Sequence, residues 1–211
     1  MGIAVATLLA AGQRLTMVNP RGAPLPTALP GANALFIDRE GTGLSVAGVA
    51  ALVAEAGARR MASILRADGL AADELAACAA LAPDAVVLPQ IVSASELTGA
   101  LAAFDPDRTA IIAQVETVEA VADLDALIAV PGVAGFLIGP NDLAHAMGHP
   151  GAPDHPDVAA AVDRVAEQLA GAGRAYGLPV MTDAARTRWT DLGAQLHYVP
   201  LDTFLTLDPT P

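Results

Sequence analysis

Short runs of apolar residues recur along the chain, with polar or turn-forming residues between them. We predict strands at Leu15–Val18, Ala34–Ile37, Met61–Leu65, Ala85–Leu88, Ala110–Gln114, Gly135–Ile138, Leu178–Met181 and Leu196–Val199. The central runs are continuously apolar, which is typical of strands buried on both faces. The pattern therefore predicts eight short strands in a largely buried sheet.

Segments with the helical spacing of apolar residues separate most of these strands. They are Met1–Ala11, Ser45–Ala56, Ala71–Ala79, Ser93–Ala103, Val118–Ala129, Asp157–Ala172 and Asp183–Leu192. Ser45, Ser93 and Thr117 are residue types that cap helix N-termini, and Gly171 and Gly173 stand where glycine commonly ends a helix. Strands that alternate with helices in this way predict a parallel sheet.

Eight strand–helix units that close on themselves form a (β/α)8 TIM barrel, the fold class that we expect. Such barrels usually have ~250 residues, with ~200 as a lower limit. A chain of 211 residues would make a near-minimal barrel, so we predict one domain over residues 1–211. An open doubly wound sheet is the alternative, but no Gly-x-Gly-x-x-Gly motif follows a predicted strand.

The composition fits a folded domain that lies outside the membrane. Hydrophobic residues make up 54% of the chain and charged residues 16%, which supplies a sizeable core and argues against disorder. The apolar runs fall well short of the ~20 residues that a membrane span needs. Met1–Ala11 lacks the basic start of a signal peptide, and a single cysteine excludes a disulfide framework. We expect a cytoplasmic protein.

The charged residues narrow the possible functions. The net charge is −12, all eleven basic residues are arginines, and the chain has no lysine. Nucleic acids and anionic membranes are therefore poor partners, because binding them requires clustered positive charge. Without lysine, Schiff-base aldolases, pyridoxal enzymes and Walker P-loop proteins are excluded as well.

Polar residues stand where several predicted strands end, which is where TIM-barrel enzymes place their active sites. These candidates are Asp38, Arg39 and Glu40 after strand 2, Arg66 after strand 3, Gln90 after strand 4, Gln114 and Glu116 at strand 5, and Gly139, Pro140, Asn141 and Asp142 after strand 6. We expect Arg66, Gln114, Gly139, Pro140 and Asn141 to contact the substrate.

Glu116 and Asp142 are candidate ligands of a hard divalent cation, because no histidine or cysteine stands beside them and oxygen donors suit Mg²⁺ or Mn²⁺. A 2-oxo acid could complete such a site with its carboxylate and keto oxygens. Arg66 would add positive charge beside the developing oxyanion. The alternatives are a helix cap and a solvated charge for the two carboxylates, and a surface pair with Asp68 for Arg66.

Residues 114–117 and 135–144 resemble the HpcH/HpaI aldolase/citrate lyase β-subunit family, and the likeness continues through residues 147–151 and 36–40. The resemblance implies a lyase that acts on a 2-oxo acid through a pyruvate-like enolate. It implies that Glu116 and Asp142 bind a divalent cation, with Mg²⁺ first and Mn²⁺ or Co²⁺ as alternatives. It also implies that Arg66 binds the keto or enolate oxygen, and that Asp38 and Glu40 form a catalytic strand end.

The chain departs from the family at Gly41, where the aldolases usually have a histidine that helps to move protons. Glu40, Asp38, a water on the cation or a residue of a neighbouring subunit could replace it. Decarboxylation of an oxaloacetate-like acid, acyl-CoA cleavage and a catalytically degenerate subunit that binds a 2-oxo acid therefore remain alternatives to an aldolase. The resemblance also implies a homo-oligomer, either a trimer or a hexamer.

Overall fold

The computed structural model describes residues 4–207, which contain a closed barrel of eight parallel strands. The strands are β1 Leu15–Asn19, β2 Ala34–Asp38, β3 Ala62–Arg66, β4 Ala85–Leu88, β5 Ala110–Val115, β6 Val133–Ile138, β7 Tyr176–Pro179 and β8 Leu196–Pro200. Each strand pairs with the next, and β8 pairs with β1 to close the ring. The predicted (β/α)8 barrel is confirmed.

Helices surround the barrel and connect most of its strands. They are α1 Val5–Ala10, α2 Val46–Ala58, α3 Ala72–Ala80, α4 Ala94–Leu101, α5 Val118–Ala122, α6 Leu124–Ala129, α7 Pro140–Ala146, α8 Pro156–Gly171, α9 Asp183–Asp191 and α10 Leu201–Phe204. The side chains of Ser45, Ser93 and Thr117 cap α2, α4 and α5 as predicted. Within residues 4–207, no helix combines the length and the apolar character needed to cross a membrane.

Some boundaries differ from the prediction. The helix expected at Val118–Ala129 is two helices, because Asp123 has φ −100° and ψ 17° and breaks the helical path. Strand β7 lies two residues earlier than expected and ends at Pro179, which has no amide hydrogen to donate to a ladder. Of the predicted N-terminal helix, Val5–Ala10 is helical, and residues 1–3 lie outside the described part.

The barrel has an apolar interior and a second apolar layer between strands and helices. Side chains alternate between the two layers along each strand. Met17, Phe36, Ile64 and Ile112 belong to the interior cluster, whereas their strand neighbours pack outward in the other cluster. Because of this alternation, polar side chains near the carboxyl ends of five strands face the mouth. They are Asn19 of β1, Asp38 of β2, Arg66 of β3, Gln114 of β5 and Tyr198 of β8.

From the sequence, Cys78 on an apolar helix face, His197 within strand 8 and Trp189 are predicted to be packing residues, and all three are buried. Cys78 is fully buried and its thiol donates to Glu74; burial, together with Glu74, raises the pKa of Cys78 to about 12. Burial and the charges of Arg14 and Arg186 lower the pKa of His197 to about 4. Trp189 is 6% exposed. All three pack into the protein, as predicted.

Candidate active site

A cavity of about 1470 Å³ opens at the carboxyl ends of the strands. Its lining near the strand ends includes Asn19, Asp38, Arg66, Gln114, Gly139, Pro140, Asn141, Asp142 and Tyr198. Its apolar lining includes Leu44, Leu52 and Trp189. Most of the residues that the sequence proposed for substrate or metal binding therefore lie around one mouth.

Arg66 lies between two carboxylates on one side of this mouth. Its Nε and Nη2 atoms donate to the two oxygens of Asp38 at 2.8 Å each, and its Nη1 lies 2.5 Å from Glu40 Oε2. The bidentate pair forms because Asp38 and Arg66 are register partners on β2 and β3. The alternative pair with Asp68 is not formed, since Asp68 accepts a hydrogen bond from the Gly41 amide.

These contacts keep Arg66 charged and leave it partly available. Burial by itself lowers the pKa of Arg66, but the hydrogen bonding to Asp38 and the charges of Asp38, Glu40 and Glu116 outweigh it and raise the pKa. A guanidinium has five N–H donors, and the three contacts with Asp38 and Glu40 use three of them. Arg66 therefore retains donors that can reach a substrate in the cavity.

Two residues that the sequence analysis did not single out complete this side. Asn19, at the end of β1, donates to the Tyr198 hydroxyl at 3.0 Å and to Asp38 Oδ2 at 3.5 Å. Tyr198 is the inward neighbour of Leu196 on β8 and lines the cavity. The strand-end rule, applied to β1, and the alternation along β8 would have found both.

Glu116 lies on the other side of the mouth and is fully buried. Its Oε1 accepts a hydrogen bond from the Gln90 amide at 2.8 Å, and its Oε2 accepts one from the Gln114 side chain. The charge of Asp142 also acts on Glu116 and raises its pKa. The two carboxylates that the sequence proposed as metal ligands are therefore adjacent, although they come from different strand ends.

The surroundings of Glu116 disfavour its negative charge. Its pKa is raised to about 8: burial is the largest cause, the Gln90 amide opposes it, and the charges of Asp142 and Glu40 add to the rise. Glu40 itself has a raised pKa, because burial outweighs the stabilising charge of Arg66. The mouth thus brings the four carboxylates of Asp38, Glu40, Glu116 and Asp142 close to one another, and Arg66 is the arginine that pairs with Asp38 and Glu40.

Gly139 makes room for this arrangement between β6 and α7. A Cβ atom at this position would lie 2.7 Å from Glu116 Oε2 and 2.8 Å from Glu116 Cβ. Pro140 follows at the start of α7, and Asp142 lies in the first turn of that helix. Asp142 is therefore part of a helix that begins at Pro140 and is not the cap of a later helix. Glycine is required here because Glu116 occupies the space of a side chain.

The Gln90 backbone is a further contributor that the sequence did not reveal. Gln90 has φ 54°, a left-handed conformation that few residues other than glycine, asparagine and aspartate adopt. This conformation accompanies the hydrogen bond from its amide to Glu116, and the Gln90 side chain acts to lower the pKa of Glu40. Arg39, which precedes Glu40 in the chain, pairs instead with Glu74 and is not part of the cavity lining.

The donor set around Glu116 fits a hard divalent cation. Carboxylate oxygens are ligands that Mg²⁺ and Mn²⁺ prefer, and the adjacent carboxylates of Glu116 and Asp142 would repel each other without a proton or a cation between them. Gln114 Oε1 is buried and has no hydrogen-bond partner within residues 4–207. It offers a further oxygen that can accept from a ligand or a coordinated water.

The position after Glu40 carries no side chain that could move a proton. Gly41 has φ 61°, and its amide donates to Asp68. Asp38 uses both carboxylate oxygens for Arg66 and also contacts Asn19. Glu40 contacts Arg66 through one oxygen and remains one quarter exposed, so it is the more accessible of the two carboxylates.

Comparison with known proteins agrees with this architecture. Among curated proteins, the hydroxypyruvate/pyruvate aldolase of Pseudomonas aeruginosa is 40% identical over 101 residues, 48% of this chain and 38% of that protein. The 4-hydroxy-2-oxo-heptane-1,7-dioate aldolase of Klebsiella pneumoniae is 39% identical over 99 residues, 47% of this chain and 37% of that protein. The matched region thus spans about two fifths of the length of these relatives.

The fold has close structural counterparts. A HpcH/HpaI aldolase/citrate lyase family protein from Burkholderia cenocepacia superimposes with a TM-score of 0.85 at 22% identity, over 95% of this chain and 93% of the other. The family model for HpcH/HpaI aldolase/citrate lyase matches residues 46–209, which include Arg66, Glu116 and Asp142. The chain is a member of the HpcH/HpaI aldolase/citrate lyase family.

Proposed function

We propose that this chain is a divalent-metal-dependent carbon–carbon lyase of the aldolase type, acting on a 2-oxo acid through a pyruvate-like enolate. The observation that carries the proposal is the pair of adjacent carboxylates, Glu116 and Asp142, in the same mouth as the charged guanidinium of Arg66. The curated relatives named above, which are aldolases, support the same chemistry.

Glu116 and Asp142 would hold the cation, which when bound acts as a Lewis acid and stabilises charge on the keto oxygen of the substrate. Gln114 orients Glu116 by donating to it. Arg66 would direct its remaining donors at the keto or enolate oxygen, where negative charge develops in the transition state. Asp38 fixes the plane of the guanidinium through its bidentate pair.

In the cleavage direction, the C3–C4 bond of a 4-hydroxy-2-oxo acid breaks and the C4 hydroxyl loses its proton. An aldehyde leaves, and the enolate takes up a proton at C3 to give the 2-oxo acid product. Glu40 is the side chain that we assign to proton movement, because it is more accessible than Asp38 and lies beside Arg66. Proton transfer by a positioned carboxylate contributes about 10²–10⁴-fold to a rate.

Decarboxylation of an oxaloacetate-like acid is the second candidate, and Gly41 is the observation that favours it. Loss of carbon dioxide from such an acid forms the same enolate without removing a proton from a hydroxyl group. A mouth that stabilises an enolate but lacks the histidine would therefore keep this activity more fully than aldol cleavage.

The test is pyruvate release from 4-hydroxy-2-oxo acids and from oxaloacetate, measured with Mg²⁺, Mn²⁺, Co²⁺ or a chelator. We expect turnover that the chelator abolishes and the cations restore. In Glu116→Gln and Asp142→Asn, the cation concentration for half-activity should rise at least about 10-fold. Asp154→Asn, which removes another carboxylate of the cavity lining, should leave that concentration unchanged.

Gly41→His distinguishes the two reactions. Because Gly41 has φ 61°, any side chain there strains the backbone, so Gly41→Ala is the matched control. If the site lacks only a base, Gly41→His should exceed Gly41→Ala in aldol cleavage and equal it in decarboxylation. If no variant releases pyruvate with any cation, the chain is a degenerate subunit and the proposal fails.

A further inference from the structure

A second group of metal-binding side chains lies in the connection between α7 and α8. Among residues 4–207, His149, His155 and Asp157 form a cluster whose donor atoms all lie within 4.8 Å of one another. The two imidazole rings stack with their centroids 3.5 Å apart and an interplanar angle of 14°. We propose that this cluster binds a borderline transition-metal cation of the Zn²⁺ type, at a site separate from Glu116 and Asp142.

The backbone brings these side chains together although His149 and His155 are six positions apart. The amide of Ala152 donates to the His149 carbonyl, and the amide of His155 donates to the Ala152 carbonyl. These two successive turns bring the side chains of His149 and His155 together. Asp157 follows on the first turn of α8, a helix of 16 residues. The cluster is therefore held by ordered turns and by a regular helix.

The distances between donor atoms are close to those of a coordination sphere. His149 Nε2 and His155 Nδ1 lie 3.6 and 3.7 Å from Asp157 Oδ2. Ligands about 2.0–2.2 Å from a tetrahedral Zn²⁺ are about 3.3–3.6 Å from each other. The two nitrogen–carboxylate distances need to shorten by only a few tenths of an ångström. The two imidazole nitrogens lie within 4.8 Å of each other, and the stacked rings must tilt apart so that both nitrogens face one ion.

The nitrogen that His155 would offer already carries a lone pair toward the cluster. Its Nδ1 accepts a long hydrogen bond of 3.3 Å from the Asp157 amide, which a metal–nitrogen bond would replace. The three side chains are between 29% and 70% exposed, so an ion can enter from solvent. Three protein ligands then leave one tetrahedral position for water.

The chemistry of the two sites predicts different cations. Imidazole nitrogen is a favoured ligand of Zn²⁺, whereas Mg²⁺ prefers oxygen ligands and octahedral geometry. Pro153 and Asp154 lie inside this connection and line the cavity. A cation bound by the three side chains would therefore fix the segment that forms one wall of the mouth.

The test is calorimetric titration of the tag-free protein with Zn²⁺ in the presence of excess Mg²⁺, which occupies the oxygen site. We expect one bound equivalent of Zn²⁺. His149→Ala and His155→Asn should weaken Zn²⁺ binding at least about 10-fold; the asparagine retains a residue that can cap α8. His145→Ala removes an exposed imidazole of α7 and should not change the titration.

Glu116→Gln separates this proposal from the proposed function, because it should lose the response to Mg²⁺ and keep the Zn²⁺ equivalent. The same Zn²⁺ should raise the melting temperature of the wild type and of Glu116→Gln, but not that of His149→Ala. The proposal is overturned if the wild type binds no Zn²⁺ under excess Mg²⁺. It is equally overturned if binding survives His149→Ala and disappears in Glu116→Gln, since the ion would then occupy the mouth.

Discussion

The two sides of the barrel mouth differ in how their charged side chains are paired. At the ends of β2 and β3, Asp38 and Glu40 share the guanidinium of Arg66. At the ends of β5 and β6, Glu116 and Asp142 lie beside each other, and hydrogen bonds from Gln90 and Gln114 are the neutral contacts that Glu116 receives. The first side, which we call the balanced side, contains its own counter-charge in Arg66, although two carboxylates share it. The second, the unbalanced side, gathers negative charge that a ligand can neutralise.

Because of this difference, removing a charge should affect the stability of the protein differently on the two sides. Removing a partner from the balanced side exposes a charge that the fold had compensated, which is destabilising. Removing a charge from the unbalanced side relieves a repulsion. Substitutions that remove a charge from the two sides should therefore change stability in opposite directions, although both lower activity.

The largest effect is expected for Arg66→Ala. Loss of a donor that stabilises a developing oxyanion lowers kcat by about 10²–10³-fold. Because Asp38 and Glu40 lose their counter-charge, the free energy of unfolding should also fall, by about 1–3 kcal/mol. Steady-state kinetics and urea denaturation measure the two effects.

Two further variants test whether the loss of activity and stability is specific to the guanidinium of Arg66. Arg66→Lys retains the charge without the planar fork, so it should recover part of the stability and little of the activity. Arg188→Ala breaks an exposed pair with Asp163 and should change stability by less than about 1 kcal/mol. Normal turnover in Arg66→Ala would remove Arg66 from the mechanism.

Gly139→Ala should disturb the unbalanced side next most strongly. The added Cβ would meet Glu116 at 2.7–2.8 Å, and a displacement of about 1 Å in a catalytic group can lower activity about 10²-fold. Overpacking also costs about 1–3 kcal/mol. Gly99→Ala in α4, where nothing lies within 4 Å of the new Cβ, is the matched control and should retain activity. If Gly139→Ala were as active as Gly99→Ala, activity would not depend on the exact position of Glu116.

Substitutions of a carboxylate by the amide of the same shape test whether the free energy of unfolding changes in opposite directions on the two sides. Asp38→Asn should lower the free energy of unfolding by about 1–2 kcal/mol, because Arg66 loses a charged partner. In cation-free buffer at about pH 9, above the raised pKa of Glu116, Glu116→Gln should instead raise it by up to about 1 kcal/mol, because a buried negative charge disappears beside Asp142 and Glu40. Urea denaturation with a chelator measures both, and two changes of the same sign would contradict the comparison.

The smallest effect is expected at the edge of the balanced side. Tyr198→Phe removes the hydroxyl that accepts from Asn19 and should cost about 0.5–1.5 kcal/mol. Asp38 should remain paired with Arg66, so the expected change in kcat/KM is less than about 10-fold. A larger loss would mean that the hydroxyl contacts the substrate directly.

Local patterns carried much of the fold and of the site. Continuous apolar runs predicted the strands, and the position of Glu116 two residues after Gln114 predicted that both face the mouth. Other features depend on three-dimensional contacts that a pattern does not contain. The left-handed backbone of Gln90, the break at Asp123 and the choice of Asp38 and Glu40 as partners for Arg66 are of this kind.

The predicted trimer or hexamer also depends on contacts outside a single chain, and it stays a prediction. Sedimentation velocity at micromolar concentration measures it directly. A monomer would contradict the prediction and would remove a neighbouring subunit from the candidates for proton transfer.

The hydrogen bonds around the mouth have a consequence for how this protein can change. They form one series: Tyr198 to Asn19, Asn19 to Asp38, and Asp38 through Arg66 to Glu40. Residues within one such network show interaction energies of about 0.5–3 kcal/mol. The effects of substitutions along the series will therefore be epistatic, and a new specificity would be reached more readily through paired substitutions than through independent single steps.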